Sequence, residues 1–260
     1  MAGAWFRRYD SFGGGPEAPG SVRLVCFPHA GGAASSYIRL SRTLAPAVEV
    51  LAVQYPGRQD RRQEEPVADI GRLADALAQE VETHVDGVYA FFGHSMGALL
   101  AYETAARLAD RGAPGPAALI LSGRQAPRPV PSPHDRLLTD ADILAAVRRL
   151  GGTTPAVLDD PELRDMVMPA LRADYRAIGS YAWRERPPLD TPLTVLIGDA
   201  DPVVHPQEAL AWREFTTGPT GMHTFTGGHF YLDEHLGGVA DAITRTLARH
   251  TPAGAGVRTR

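Results

Sequence analysis

The feature that most limits the fold of this chain is an apolar run, Val88–Phe92, that stops at Gly93-His94-Ser95-Met96-Gly97 and passes directly into a helical pattern. The pattern starts at Met96, continues to Leu108 and is expected to end near Gly112. A serine at a tight strand-to-helix corner has strained backbone, and glycines on both sides remove the side chains that would clash there. Ala98 keeps the next turn slim. The helix N-terminus beneath Ser95 favours a developing negative charge. Gly-x-Ser-x-Gly alone is a common pentapeptide. The strand before it and the helix after it make the signal specific.

The rest of the chain supplies neighbours for that strand. Val22–Phe27, Val48–Val53, Ala117–Leu121 and Leu193–Ile197 read as buried strands, with Met222–Phe225 a weaker candidate. They lack period-2 alternation, as expected of a parallel sheet covered on both faces. Helical stripes lie between them: Ile70, Leu73, Leu77, Val81 and Val85 form one, and Leu232, Leu236, Val239, Ile243 and Leu247 form the last. Strands alternating with helices predict one doubly wound α/β domain spanning residues 1–260.

The rhythm breaks after Leu121. The Pro-rich stretch 126–133 excludes regular helix and central strand. One helical segment follows with Ile143, Leu144, Val147 and Leu150, stopped by Gly151. Another has Asp160 as cap, Pro161 at its first position, then Leu163, Val167, Leu171, Tyr175 and Ile178, with a kink expected at Pro169. Residues of about 125–188 therefore read as a helical lid inserted between two core strands and mobile over the site. The plainer reading is an ordinary pair of packing helices.

A serine hydroxyl needs a base to act as a nucleophile. Of nine histidines, His229 in Gly227-Gly228-His229-Phe230 lies after the last strand candidate and before the last helix. That gives the chain order serine, acid, histidine of the α/β-hydrolase fold. His94 is expected to pack within the turn, and His205, His223 and His235 compete weakly. The acid belongs in the loop after Leu193–Ile197, which offers Asp199 and Asp201. Asp201, just before the turn at Pro202, is the expected orienter of His229, with Asp199 free to satisfy loop amides. An oxyanion hole needs two backbone donors. Met96 N–H, next after the nucleophile, is one, and Ala30 N–H in Phe27-Pro28-His29-Ala30-Gly31-Gly32 is the other.

Other chemistry is poorly supported. No Gly-Lys-Ser/Thr follows the glycines, so they do not read as a phosphate loop. No His/Cys/Asp cluster has metal-ligand spacing, and no cofactor is expected. The single cysteine, Cys26, reads as a core residue inside a strand. A net charge of −4 argues against a nucleic-acid partner. No apolar run approaches a membrane span, and the polar, Gly-rich start lacks a signal-peptide core, so a cytoplasmic, monomeric protein is expected. Arg58, Arg61 and Arg62 form a basic run: a solvated loop, or a docking patch for an acidic partner.

Together these segments resemble the type II (editing) thioesterases of polyketide and nonribosomal peptide assembly lines. Tyr55-Pro56-Gly57-Arg58 and the His29-Ala30-Gly31-Gly32 loop make the likeness specific, and the matching pieces run from residue 27 to 230. The resemblance implies an α/β-hydrolase fold with a mostly parallel central sheet and a helical cap. It implies hydrolysis of stray acyl groups from the phosphopantetheine arm of acyl or peptidyl carrier proteins. Phosphopantetheine would then belong to the substrate, and the acidic carrier would give the arginine run a use. A chain starting at Met1 is expected to act alone rather than as the end of a synthase. Rival readings are a general carboxylesterase, a medium-chain fatty acyl thioesterase, and a non-catalytic hydrolase-fold binding module.

Overall fold

The computed structural model describes residues 4–9, 22–128, 132–153 and 155–250. Most of the Gly-rich start and residues 129–131 of the Pro-rich stretch lie outside the described residues. Seven strands form one sheet: β1 (Phe6–Arg7), β2 (Val22–Phe27), β3 (Val48–Val53), β4 (Tyr89–His94), β5 (Leu119–Ser122), β6 (Leu193–Gly198) and β7 (Thr220–Phe225), in the order β1-β3-β2-β4-β5-β6-β7. All neighbours are parallel except β1, which pairs antiparallel with β3. The helices are α1 (Ile38–Leu44), α2 (Ile70–His84), α3 (Met96–Asp110), α4 (Asp140–Leu150), α5 (Pro155–Asp159), α6 (Pro161–Ser180), α7 (Pro206–Leu210), α8 (Tyr231–Glu234) and α9 (Leu236–His250).

The apolar strands are apolar because both faces are covered. Phe91, Leu119, Leu121, Val195 and Ile197 pack with α2 and α3 on one side. Their neighbours Ala90, Phe92, Ile120 and Leu196 pack with α1 and α9 on the other. Successive residues of each strand thus enter different cores. Helix α2 shows how a stripe docks: Ile70, Leu73, Leu77 and Val81 are buried, each contributing about 1.5–3 kcal/mol if otherwise exposed. Its start is fixed by Asp69, whose carboxylate accepts the Arg72 N–H at 2.8 Å.

Several elements depart from the sequence reading. β1 has two residues, too few to show a pattern, and exists by pairing with Ala52 and Val53. The last apolar stripe is split at His235 into α8 and α9; His235 Nε2 bonds the Thr226 carbonyl at 2.8 Å, and Gly237-Gly238 are poor helix formers. The short helices α1, α5 and α7 have no counterpart in the sequence reading. β7 is weak in the sequence because it is a half-exposed edge strand.

Residues between β5 and β6 form the expected helical insertion. Asp160 caps α6, accepting the N–H groups of Glu162 and Leu163 at 2.8 and 3.1 Å, and Gly151 ends α4. Pro169 lies inside α6, which continues on both sides of it. The insertion has a small core of its own, with Ile143, Val147, Leu158, Met168, Leu171 and Tyr175 buried together. Among the described residues no helix is long and apolar enough to cross a membrane.

Candidate functional site

In an open parallel sheet, functional loops gather at the carboxyl ends of the strands. Here those ends are Phe27, His94, Ser122, Gly198 and Phe225. The loops leaving them carry Ala30, Ser95, Gly123, Asp201 and His229. Ala30, Ser95, Gly123 and His229 line one chamber of ≈ 40 Å³, together with Ala146, Arg149, Leu150, Tyr175 and Ile178 of the insertion.

Ser95 stands between β4 and α3 with φ 56° and ψ −118°, in the positive-φ region that only glycine enters freely. Its N–H donates to the Ser122 carbonyl at 2.8 Å, and its carbonyl accepts from Ala98 N–H at 3.0 Å. The flanking glycines are required by contact. A Cβ on Gly93 would strike the Gly97 carbonyl, and one on Gly97 would strike the Phe27 carbonyl oxygen. The elbow therefore presses against the end of β2, where the Ala30 loop begins.

His229 and Asp201 meet in the interior. His229 Nδ1 lies 2.7 Å from Asp201 Oδ2, with side-chain exposures of 2% and 0%. The other Asp201 oxygen accepts Val203 N–H at 2.9 Å. Asp199 accepts the Gly227 N–H at 2.9 Å, so it holds the histidine loop rather than the histidine. Of the two aspartates, the structure brings Asp201 to His229 and Asp199 to the Gly227 amide. His205 is exposed, His235 is tied to Thr226, and His223 is on β7; none lines the chamber.

His94 packs in the turn as expected, but it also faces His229, with ring centroids 4.9 Å apart. Its Nδ1 is 2.8 Å from Ser122 Oγ, which is 2.6 Å from the Tyr231 hydroxyl. Burial, then the nearby His229 and His29, push its pKa well below the ordinary histidine value. His29, largely buried in its loop, is edge-on to Phe230 at 4.8 Å. Its pKa is lowered to about 3, first by desolvation and then by His229 and Arg58. Both rings are neutral around pH 7 and surround the candidate base without adding charge. Cys26 is fully buried in β2, and burial pushes its thiol pKa up.

The arginine run is neither of the things its sequence suggested. Arg58 is buried and pairs through both guanidinium arms with fully buried Asp174 at 2.8 Å. Desolvation opposes its charge, but Asp174 outweighs this and raises its pKa above the ordinary value. Arg61 is buried too. It donates to the Gln54 carbonyl at 2.8 Å, grips Glu64 and covers the Trp5 ring at 4.4 Å. Only Arg62 is exposed. The motif Tyr55-Pro56-Gly57-Arg58 is an internal brace. Its partner Asp174 was missed, although an acid at position 174 between Leu171, Tyr175 and Ile178 interrupts the apolar stripe of α6. Among the described residues, no group of three or more His, Cys, Asp or Glu could hold a metal ion.

A strained serine corner, a buried His-Asp pair and a glycine loop at the ends of a parallel sheet define an α/β-hydrolase site. Comparison with known proteins narrows this. The Thioesterase domain family matches residues 22–247, and the chain belongs to that family. It is 47% identical over 246 residues to a probable cadicidin biosynthesis thioesterase of Streptomyces griseus, covering 95% of this chain and 66% of that protein. It is 43% identical over 247 residues to thioesterase PikA5 of Streptomyces venezuelae, covering 95% of this chain and 86% of that one. The type II thioesterase BorB from the borrelidin biosynthetic cluster superposes with a TM-score of 0.85 at 45% identity, covering 95% of this chain and 99% of that one.

Proposed function

We propose that the protein is an editing thioesterase that hydrolyses stalled or aberrant acyl groups from the phosphopantetheine arm of acyl or peptidyl carrier proteins in polyketide or nonribosomal peptide biosynthesis. The observation that carries the chemistry is the His229–Asp201 pair at 2.7 Å, opening with Ser95 and Ala30 onto one chamber. The likeness to type II thioesterases of such clusters supports the substrate class.

The reaction proceeds by two acyl transfers. His229 takes the Ser95 hydroxyl proton while Oγ attacks the thioester carbonyl. Ala30 and Met96 N–H groups hold the oxyanion, and collapse breaks the C–S bond as His229 protonates the leaving thiol. Water, deprotonated by His229, attacks the acyl-enzyme, and the proton returns to Ser95 as the acid leaves. Asp201 keeps Nδ1 of His229 protonated, so that Nε2 is the free base. The enzyme supplies no cofactor; phosphopantetheine arrives with the substrate. A chamber of ≈ 40 Å³ has room for a water or two. The insertion lines one side of this chamber, where a lid over the site would sit. A single buried thiol suits a cytoplasmic enzyme.

The test is hydrolysis of a short acyl group from a phosphopantetheinylated carrier protein, with an aryl ester in parallel. Wild type clears the carrier, and Ser95→Ala is slower by on the order of 10⁴ to 10⁶. Cleavage of the aryl ester with an untouched carrier thioester would leave the triad standing and overturn the editing assignment.

A further inference from the structure

We propose that Arg58 and Asp174 are positioning residues for the oxyanion hole, fastening the loop that carries Ala30 to helix α6 of the insertion. This rests on the reading of Ala30 N–H as an oxyanion donor. The loop turns at His29-Ala30-Gly31-Gly32, closed by Gly32 N–H to the His29 carbonyl at 2.9 Å, with Gly31 at φ +75°. Such a turn leaves the amides of its middle residues pointing outward, and their direction depends on what they meet.

Asp174 meets them. Its Oδ2 accepts Gly31 N–H at 2.7 Å and one Arg58 arm at 2.8 Å, while Oδ1 accepts the other arm at 2.8 Å. The first arm of Arg58 also donates to the Gly32 carbonyl at 3.0 Å. Both faces of the turn are thus held by one ion pair. Helix α6 adds an apolar grip one turn back, where Leu171 Cδ2 lies 2.5 Å from the place a Gly31 Cβ would occupy. Residues 171 and 174 share a helix face, so both grips move with α6.

The other ends of the loop are fixed to the sheet. Tyr55 hydroxyl donates to the Pro28 carbonyl at 3.2 Å, and Gln54 accepts Ala34 N–H at 2.9 Å while donating to the Arg58 carbonyl at 2.9 Å. At the tip, Gly31 takes its support from the insertion and Gly32 from Arg58, the residue that Asp174 holds. The seating of α6 and the direction of the Ala30 N–H are therefore set together. A lid that lifts α6 would take the partner of Gly31 with it and slacken the hole. The thioester is then attacked efficiently only when α6 is seated.

The test uses an aryl acetate, which needs no carrier protein, and a trifluoromethyl ketone, whose serine adduct places an oxyanion in the hole. Asp174→Asn removes the carboxylate but leaves Arg58 buried without its counter-charge, so it risks the fold. Arg58→Lys keeps the charge and loses the bidentate grip, so it decides the question if Asp174→Asn does not fold. Loss of one oxyanion donor costs about 10²–10³ in kcat, which bounds Asp174→Asn; Arg58→Lys should lose at least about tenfold. KM should change little, and ketone affinity should fall by the same factor as kcat/KM. Folded Arg58→Lys with unchanged kcat and unchanged ketone affinity would overturn the proposal, as would a loss confined to KM. Wild type active on the aryl acetate but inert on an acyl carrier protein would sink the editing function and leave this test intact.

Discussion

Replacing Asp201 by Asn separates the two aspartates of one loop by chemistry rather than by stability. Asp201 is committed at both oxygens, to His229 Nδ1 at 2.7 Å and to Val203 N–H at 2.9 Å. An asparagine has one accepting oxygen and one donating nitrogen. If its oxygen keeps the Val203 N–H, its NH₂ faces Nδ1. The imidazole must then accept there and carry its proton on Nε2, the wrong tautomer for taking a proton from Ser95. In other serine triads this exchange lowers kcat by about 10⁴, roughly 5.5 kcal/mol of barrier at ~1.4 kcal/mol per decade. Asp199 differs, because its carboxylate accepts the Gly227 N–H at 2.9 Å, a bond that an asparagine oxygen can still accept. We expect Asp199→Asn to keep kcat on an aryl ester within about tenfold of wild type, and Asp201→Asn to lose about 10⁴ with little change in melting temperature. If Asp201→Asn lost less than tenfold, or if both variants lost the same amount, the acid would have to be assigned elsewhere.

Three further outcomes follow from the packing. Gly97→Ala forces a methyl onto the Phe27 carbonyl oxygen, a backbone atom that cannot step aside; urea denaturation should show a loss at or above the ~1–3 kcal/mol of ordinary overpacking, with activity lost in whatever folds. His94 is 1% exposed, and its folded pKa lies well below 6.5. Between 6.5 and that folded value the unfolded chain binds the proton and the native one does not. Stability should therefore fall as the pH is lowered below 6.5, by at most about 1.4 kcal/mol per pH unit for this group, and that slope should be shallower in His94→Gln. Arg61→Glu should cost about 2–4 kcal/mol, because it reverses a buried charge bound to Gln54 and Glu64, whereas exposed Arg62→Glu should stay within about 0.5 kcal/mol; equal melting temperatures would show that the run is a surface feature after all.

What the sequence made legible was what local chemistry forces. Gly93 and Gly97 could be read because a serine corner tolerates no side chain beside it, and the structure shows the two carbonyls that a methyl would strike. The strands could be read because a sheet buried on both faces makes each strand a run of mostly apolar residues, as in Tyr89–Phe92 of the fully buried β4. The edge strands were faint for the converse reason: β1 is two residues long and β7 is half exposed, so neither carries a full apolar signature. Arg58 shows where local reading fails. Three arginines within five residues look like surface, because a lone guanidinium is too costly to bury. The counter-charge that makes burial possible stands 116 residues away, on a helix in the insertion. Asp174, by the same reasoning, is an acid misplaced in an apolar stripe until Arg58 is known. Each residue looks anomalous alone, and each accounts for the other. A charged residue interrupting a buried helix face, together with a motif arginine that has no local partner, is thus a signal that can be sought in a single sequence: the two anomalies of opposite sign are candidates for one buried pair.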